Sequence, residues 1–93
     1  MALNISPRVQ QKLSEKHNVT RAEIEQCFAN RAGKMLEDTR EDHLSDPPTQ
    51  WFIAVTDSGR KLKVVFIMSN KTITIRTAYE PNITELQIYH KHG

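Results

Sequence analysis

The sequence predicts an α+β fold, with two N-terminal helices and one C-terminal helix packed on an antiparallel sheet of about four strands. Three observations carry that prediction. Trp51 to Val55, Leu62 to Met68 and Thr72 to Ala78 are consecutive β-rich runs of strand length. Asp57-Ser58-Gly59-Arg60 and Ser69-Asn70-Lys71 separate them with turn chemistry. Helix-capping signatures stand before and after this meander. Links so short make neighbouring strands antiparallel, because a parallel pair needs a long crossover.

The elements follow in chain order. Ser6 before Pro7 is an N-cap with proline at the first helical position. Val9 and Leu13 then share a face at i, i+4, while Lys12 and Lys16 point outward. Lys16 and His17 suit the last turn, where cations meet the negative end of the helix dipole, and Asn18 can close it in the left-handed conformation. Thr20-Arg21-Ala22-Glu23 is a capping box, with Val19 and Ile24 as its hydrophobic staple. Ile24, Cys27 and Phe28 form the buried stripe of this second helix. Lys34 to Asp38 reads as a short edge strand, and Thr39 to Thr49 as an exposed loop, since Ser45-Asp46-Pro47-Pro48 suits neither helix nor central strand. After the meander, Asn82 caps the last helix and Glu85 completes its capping box. Ile83, Leu86 and Tyr89 are spaced to pack on the sheet, with Gln87 and His90 near its edge.

Size and composition bound the function. A chain of 93 residues is a single domain, residues 1–93, and buries about 60–65% of the surface its unfolded form exposes, too little for a deep cleft between lobes. With Cys27 as the one cysteine, disulfides and cysteine-based zinc sites are excluded, which fits a reducing compartment. No apolar run approaches the roughly 20 residues of a membrane helix, and Met1 to Pro7 lacks a signal-peptide core. The expectation is a cytoplasmic protein with no membrane partner. The acidic residues around His43 match neither a calcium loop nor a helical two-histidine zinc motif, so neither a metal nor another cofactor is expected.

Charge is segregated along the chain. Residues 31–50 carry three Lys/Arg against five Asp/Glu, and residues 51–93 carry six against three. An acidic loop therefore precedes a basic sheet, which can attract a polyanion through counterion release; the plainer reading is a solvated sheet face. Strand alternation puts Leu62, Val64, Phe66 and Met68 on one face and Lys61, Lys63, Val65 and Ile67 on the other. On the next strand Ile73, Ile75 and Thr77 oppose Thr72, Thr74, Arg76 and Ala78. The apolar rows should meet the helices, leaving Lys61, Lys63, Thr74 and Arg76 together on the opposite face. Cations held on rigid strands can grip a phosphodiester and stabilise charge that develops as it is cleaved. Arg60, Lys61, Lys63 and Arg76 are the nucleic-acid-binding candidates, and Lys63, Arg76 and Tyr79 the catalytic ones. His17, His90 and His92 are further acid–base candidates, although His17 also suits a helix end and His92 a frayed tail. Cys27 belongs to the core.

Several of these segments together resemble the BrnT-like toxins. They are Lys16-His17-Asn18-Val19 with Glu23 to Phe28, Gly59-Arg60-Lys61-Leu62-Lys63-Val64-Val65, Ile73-Thr74-Ile75-Arg76-Thr77-Ala78, and the Glu85 and Tyr89 pair. The resemblance covers nearly the whole chain. It implies a bacterial ribonuclease of a toxin–antitoxin pair, with a RelE/ParE-like fold, RNA as substrate and an antitoxin protein as partner. The chain also resembles small bacterial proteins that carry the name ADP-ribosyl-(dinitrogen reductase) hydrolase. BrnT-like chains keep an arginine where this sequence has Tyr79, so the resemblance implies RNA binding with weak or absent cleavage. Two other classes compete with a metal-independent ribonuclease. One is a non-catalytic regulatory module that binds a partner protein or nucleic acid through the basic face. The other is a haem or ligand binder with His17 or His90 as axial ligand.

Overall fold

A computed structural model of the chain describes residues 2–38 and 48–93. The elements are β1 (Ala2–Asn4), α1 (Pro7–Lys12) continued by a π-helical turn (Leu13–His17), α2 (Arg21–Asn30), β2 (Leu36–Glu37), β3 (Thr49–Val55), β4 (Lys61–Ser69), β5 (Thr72–Tyr79) and α3 (Ile83–His92). The α+β class is therefore as the sequence predicts. The sheet has five strands in the order β1-β5-β4-β3-β2. β2 to β5 form the expected antiparallel meander. The extra strand, β1, lies parallel to β5 and pairs Leu3 with Ile73. Three residues starting Ala2-Leu3 carry too little alternation to be read as a strand, and only the free edge of β5 makes them one. The expected loop around His43 lies outside the described residues, apart from Pro48 and Thr49, and Thr49 opens β3.

The capping signals act as their chemistry requires. Ser6 Oγ accepts from the Val9 N–H at 3.2 Å, and Asn18 closes the π-helical turn at φ 51°. Thr20 with Glu23, and Asn82 with Glu85, each form a reciprocal capping box. α1 and α2 cover one face of the sheet, where Leu13, Val19, Ile24 and Cys27 join Phe52, Leu62, Val64, Phe66, Ile73, Ile75 and Ala78 in one core cluster. Phe28 packs edge-on to Phe52 and Phe66, with ring centroids 4.8 and 5.4 Å away.

Two features depart from simple strand alternation. Val65 pairs with Thr77 while Phe66 pairs with Ile75, which leaves Arg76 as the extra residue of a β-bulge. The bulge reverses parity beyond it. Ala78, expected outside, is fully buried in the core, and Thr77, expected inside, sits opposite Val65 on the other face. The second departure is α3, which the sequence places against the apolar rows with the other helices. Its Glu85 instead reaches Lys63 and Tyr79, paired neighbours on the opposite face, and its Tyr89 packs at a tilt on Trp51 while also touching the main core. Ile83, expected to pack, is 73% exposed.

The β4–β5 hairpin turns on Asn70 and Lys71, at φ 51° and 64°. A two-residue turn with both residues left-handed is the type I′ geometry that favours Asn-Gly, and lysine is strained there. Lys71→Gly should raise stability by about 0.5 kcal/mol, the relief of that strain less the added entropy of an unfolded glycine. The urea midpoint reads this directly, and a lowered midpoint would contradict the turn assignment.

Candidate functional site

The chemistry-bearing residues gather where β4 begins, β5 ends and α3 starts. Register places Lys63 opposite Tyr79 across β4 and β5, and opposite Ile53 on β3. All three point to the face that α3 covers. Lys63 is 8% exposed, and its Nζ donates to Glu85 Oε2 at 2.7 Å. The Tyr79 hydroxyl donates to the same oxygen at 2.6 Å. The other oxygen, Glu85 Oε1, accepts from the Asn82 N–H at 3.0 Å, so one carboxylate both caps α3 and fastens it to the sheet. The Lys63 ammonium also lies 4.5 Å from the centre of the Trp51 ring, a cation–π contact in a desolvated setting. His17, from the far end of the π-helical turn, brings its ring to 5.6 Å from that of Tyr79.

Electrostatics in this cluster are balanced. Burial by itself pushes the Glu85 carboxyl up, but the hydrogen bonds from Lys63, Tyr79 and the Asn82 N–H, with the Lys63 charge, hold it below its ordinary value of 4.5. An ionised Glu85 neutralises Lys63 and aligns the phenol and the ammonium on one oxygen. In this arrangement Lys63 is a docking post for α3, and its charge is spent on Glu85.

Arg60 is committed still more fully. Its Nη1 donates to the Asn18 carbonyl at 2.7 Å and to Glu23 Oε2 at 3.1 Å, its Nη2 to the His17 carbonyl at 2.9 Å, and its Nε to Glu80 Oε1 at 2.9 Å. The planar five-donor fork of arginine is what lets one side chain reach four groups. It ties the end of the π-helical turn, the start of α2 and the segment before α3 to the β3–β4 turn. Burial tends to raise the Glu23 carboxyl, yet the Thr20 N–H and Arg60 hold it below 4.5.

The remaining candidates are open to solvent. Lys61, opposite Val55, is exposed, as is Arg76 on the β-bulge. Among the described residues neither has an ion-pair partner. Lys61, Lys63 and Thr74 share one face, as strand alternation predicts, while Arg76 drops out of the ladder. Cys27 is fully buried, and burial together with the Glu23 charge pushes its thiol up to about 11, which suits a core residue. His90 and His92 lie exposed on α3.

Glu85, Trp51, Glu23 and Glu80 were not legible as site residues. Glu85 is legible as half of a capping box, which accounts for one of its oxygens, and as part of the BrnT-like pattern, and neither reading points to a partner on the sheet. The other oxygen has no local signal, because the row Ile53, Lys63 and Tyr79 that it serves exists only through the register shift at the Arg76 bulge. No protein-family model, curated protein or solved structure matches this chain.

Proposed function

We propose that the chain is a BrnT-like protein of a bacterial toxin–antitoxin system, acting in the cytoplasm, that binds RNA through the solvent-facing cations of β4 and β5. The carrying observation is Arg76, held on a β-bulge, exposed and without an ion-pair partner among the described residues. Bulges re-aim side chains and are enriched beside functional sites. Lys61, Thr74 and Thr77 supply a second cation and hydroxyl donors suited to a phosphate backbone. Arg60 serves this reading as scaffold, because its fork is used within the fold. Lys63 and Tyr79 lie behind Glu85, so cleavage without a metal would be weak: the cation that should stabilise developing charge is already paired.

The test is filter binding of a single-stranded RNA across a salt series. Arg76→Ala and Lys61→Ala should each weaken binding and reduce the salt slope by about 0.7 for each phosphate that is no longer neutralised. Both side chains are exposed, so thermal stability should stay level. Tyr79→Arg restores the family's arginine and should increase RNA cleavage, read on a gel and as slowed bacterial growth on overexpression. Absence of RNA affinity in the unaltered protein at low salt would end this reading.

A further inference from the structure

Glu85 Oε2 answers two donors that a phosphate oxygen would also satisfy, the Lys63 ammonium at 2.7 Å and the Tyr79 hydroxyl at 2.6 Å. Around that point three adjacent strands each supply one side chain: Trp51 from β3, Lys63 from β4 and Tyr79 from β5. The Lys63 Nζ stands 4.5 Å from the centre of the Trp51 ring and 5.7 Å from that of Tyr79. Aromatic faces beside a cation on a sheet can stack the bases and grip the backbone of a single strand. Lys61 lies two residues along β4 on the same face, roughly 7 Å away by strand rise, so the covered cation is continuous with an open one.

The cover is lightly held. α3 has no fully buried residue, and its Ile83 and Ile88 are exposed. Glu85 ties it to the sheet, while Tyr89 packs on Trp51 and donates to the Lys34 carbonyl at 2.8 Å. Glu37, Asp38 and His92 line a groove beside the Lys63–Glu85 pair. β2 is two strands from β4, so the carboxylates on that side weigh on Lys63 less than Glu85 in direct contact with it, and His92 moves with α3.

We infer that the Glu85 carboxylate is an internal substitute for an RNA phosphate, and that α3 is a latch that keeps Lys63, Tyr79 and Trp51 from a single-stranded RNA. This deepens the RNA reading and rests on it. Lys61 and Arg76 meet the strand first, and displacement of Glu85 adds one phosphate contact and two rings for stacking.

The probe is a short oligouridylate, followed by filter binding and by emission of Trp51, the one tryptophan of the chain. Glu85→Gln keeps the side chain's shape and an acceptor for the Asn82 N–H, and circular dichroism checks its fold. It should bind the RNA about tenfold more tightly at low salt, with a salt slope steeper by about 0.7 for one more phosphate. RNA should quench Trp51 in this variant and leave it unchanged in the unaltered chain. Adding Lys63→Met should abolish the gain, and Glu37→Gln, which changes net charge equally, should give none. Tyr89→Leu loosens the latch without touching Lys63 or Glu85, and should give a gain of the same sign that Lys63→Met again removes. RNA binding by the unaltered chain with no gain in Glu85→Gln or in Tyr89→Leu overturns the latch and leaves the RNA reading standing. A gain as large in Glu37→Gln, or one that survives Lys63→Met, overturns it as well. No RNA affinity in either the unaltered chain or Glu85→Gln at low salt ends both.

Discussion

Arg60→Ala is expected to destabilise the fold by about 2–3 kcal/mol. The variant leaves the His17 and Asn18 carbonyls without their donor and removes the cation facing Glu23, whose side chain is 22% exposed. The Glu80 ion pair adds little, because that carboxylate is 67% exposed and water replaces the guanidinium readily. Arg60→Lys should recover less than half of the loss, since one ammonium cannot span two carbonyls and two carboxylates. Urea denaturation measures the effect. A change below about 0.5 kcal/mol would mean that the four interactions are incidental.

Lys63→Ala should cost about 2–3 kcal/mol and release α3 from the sheet, because it strands the largely buried Glu85 carboxylate beside Tyr79. α3 has no fully buried residue of its own, so the Glu85 anchor carries much of its attachment. Trp51 emission should shift to the red as water reaches the ring, with the loss of helix signal small. Lys63→Met with Glu85→Gln should be milder than the sum of the two single changes, and a cycle over the four proteins gives the coupling. Acid should reproduce the effect. The folded Glu85 carboxyl is held below its ordinary value of 4.5, so its contribution is complete above that pH and is lost as pH falls through the lower, folded value. Glu23 acts in the same direction. Stability should therefore be level near neutrality and decline below about pH 4.5, and Lys63→Met should flatten that acid limb. A decline of equal steepness in Lys63→Met would locate the acid sensitivity elsewhere.

Local signals were faithful wherever one stretch of chain contains the whole reason for the structure. Ser6-Pro7, Asn18, the Thr20–Glu23 box and the Asn82–Glu85 box each act within a few residues, and each appears as read. The three long strands and their antiparallel pairing follow from alternation and short turns in the same way. Parity failed at Arg76, because a bulge is a property of two strands and β5 alone does not announce it. The same limit applied to Arg60 and Lys63. Both were legible as cations on a basic sheet, but the carboxylates that claim them come from 37 and 22 residues away.

Fold class, helix caps, the core-facing row of β4 and the positions of the tight turns are all legible along the chain. Each of these is set by covalent geometry, helix-end hydrogen bonding or the two-residue period of a strand, all of which act at short range. Packing in three dimensions makes Ala2–Asn4 a strand, sets α3 on the face opposite α1 and α2, and turns Lys63 and Arg60 into structural cations while Lys61 and Arg76 have no ion-pair partner among the described residues. The physical reason is desolvation. A charge brought under a helix must find its counter-charge there, and which distant residue supplies it is settled only when the elements pack.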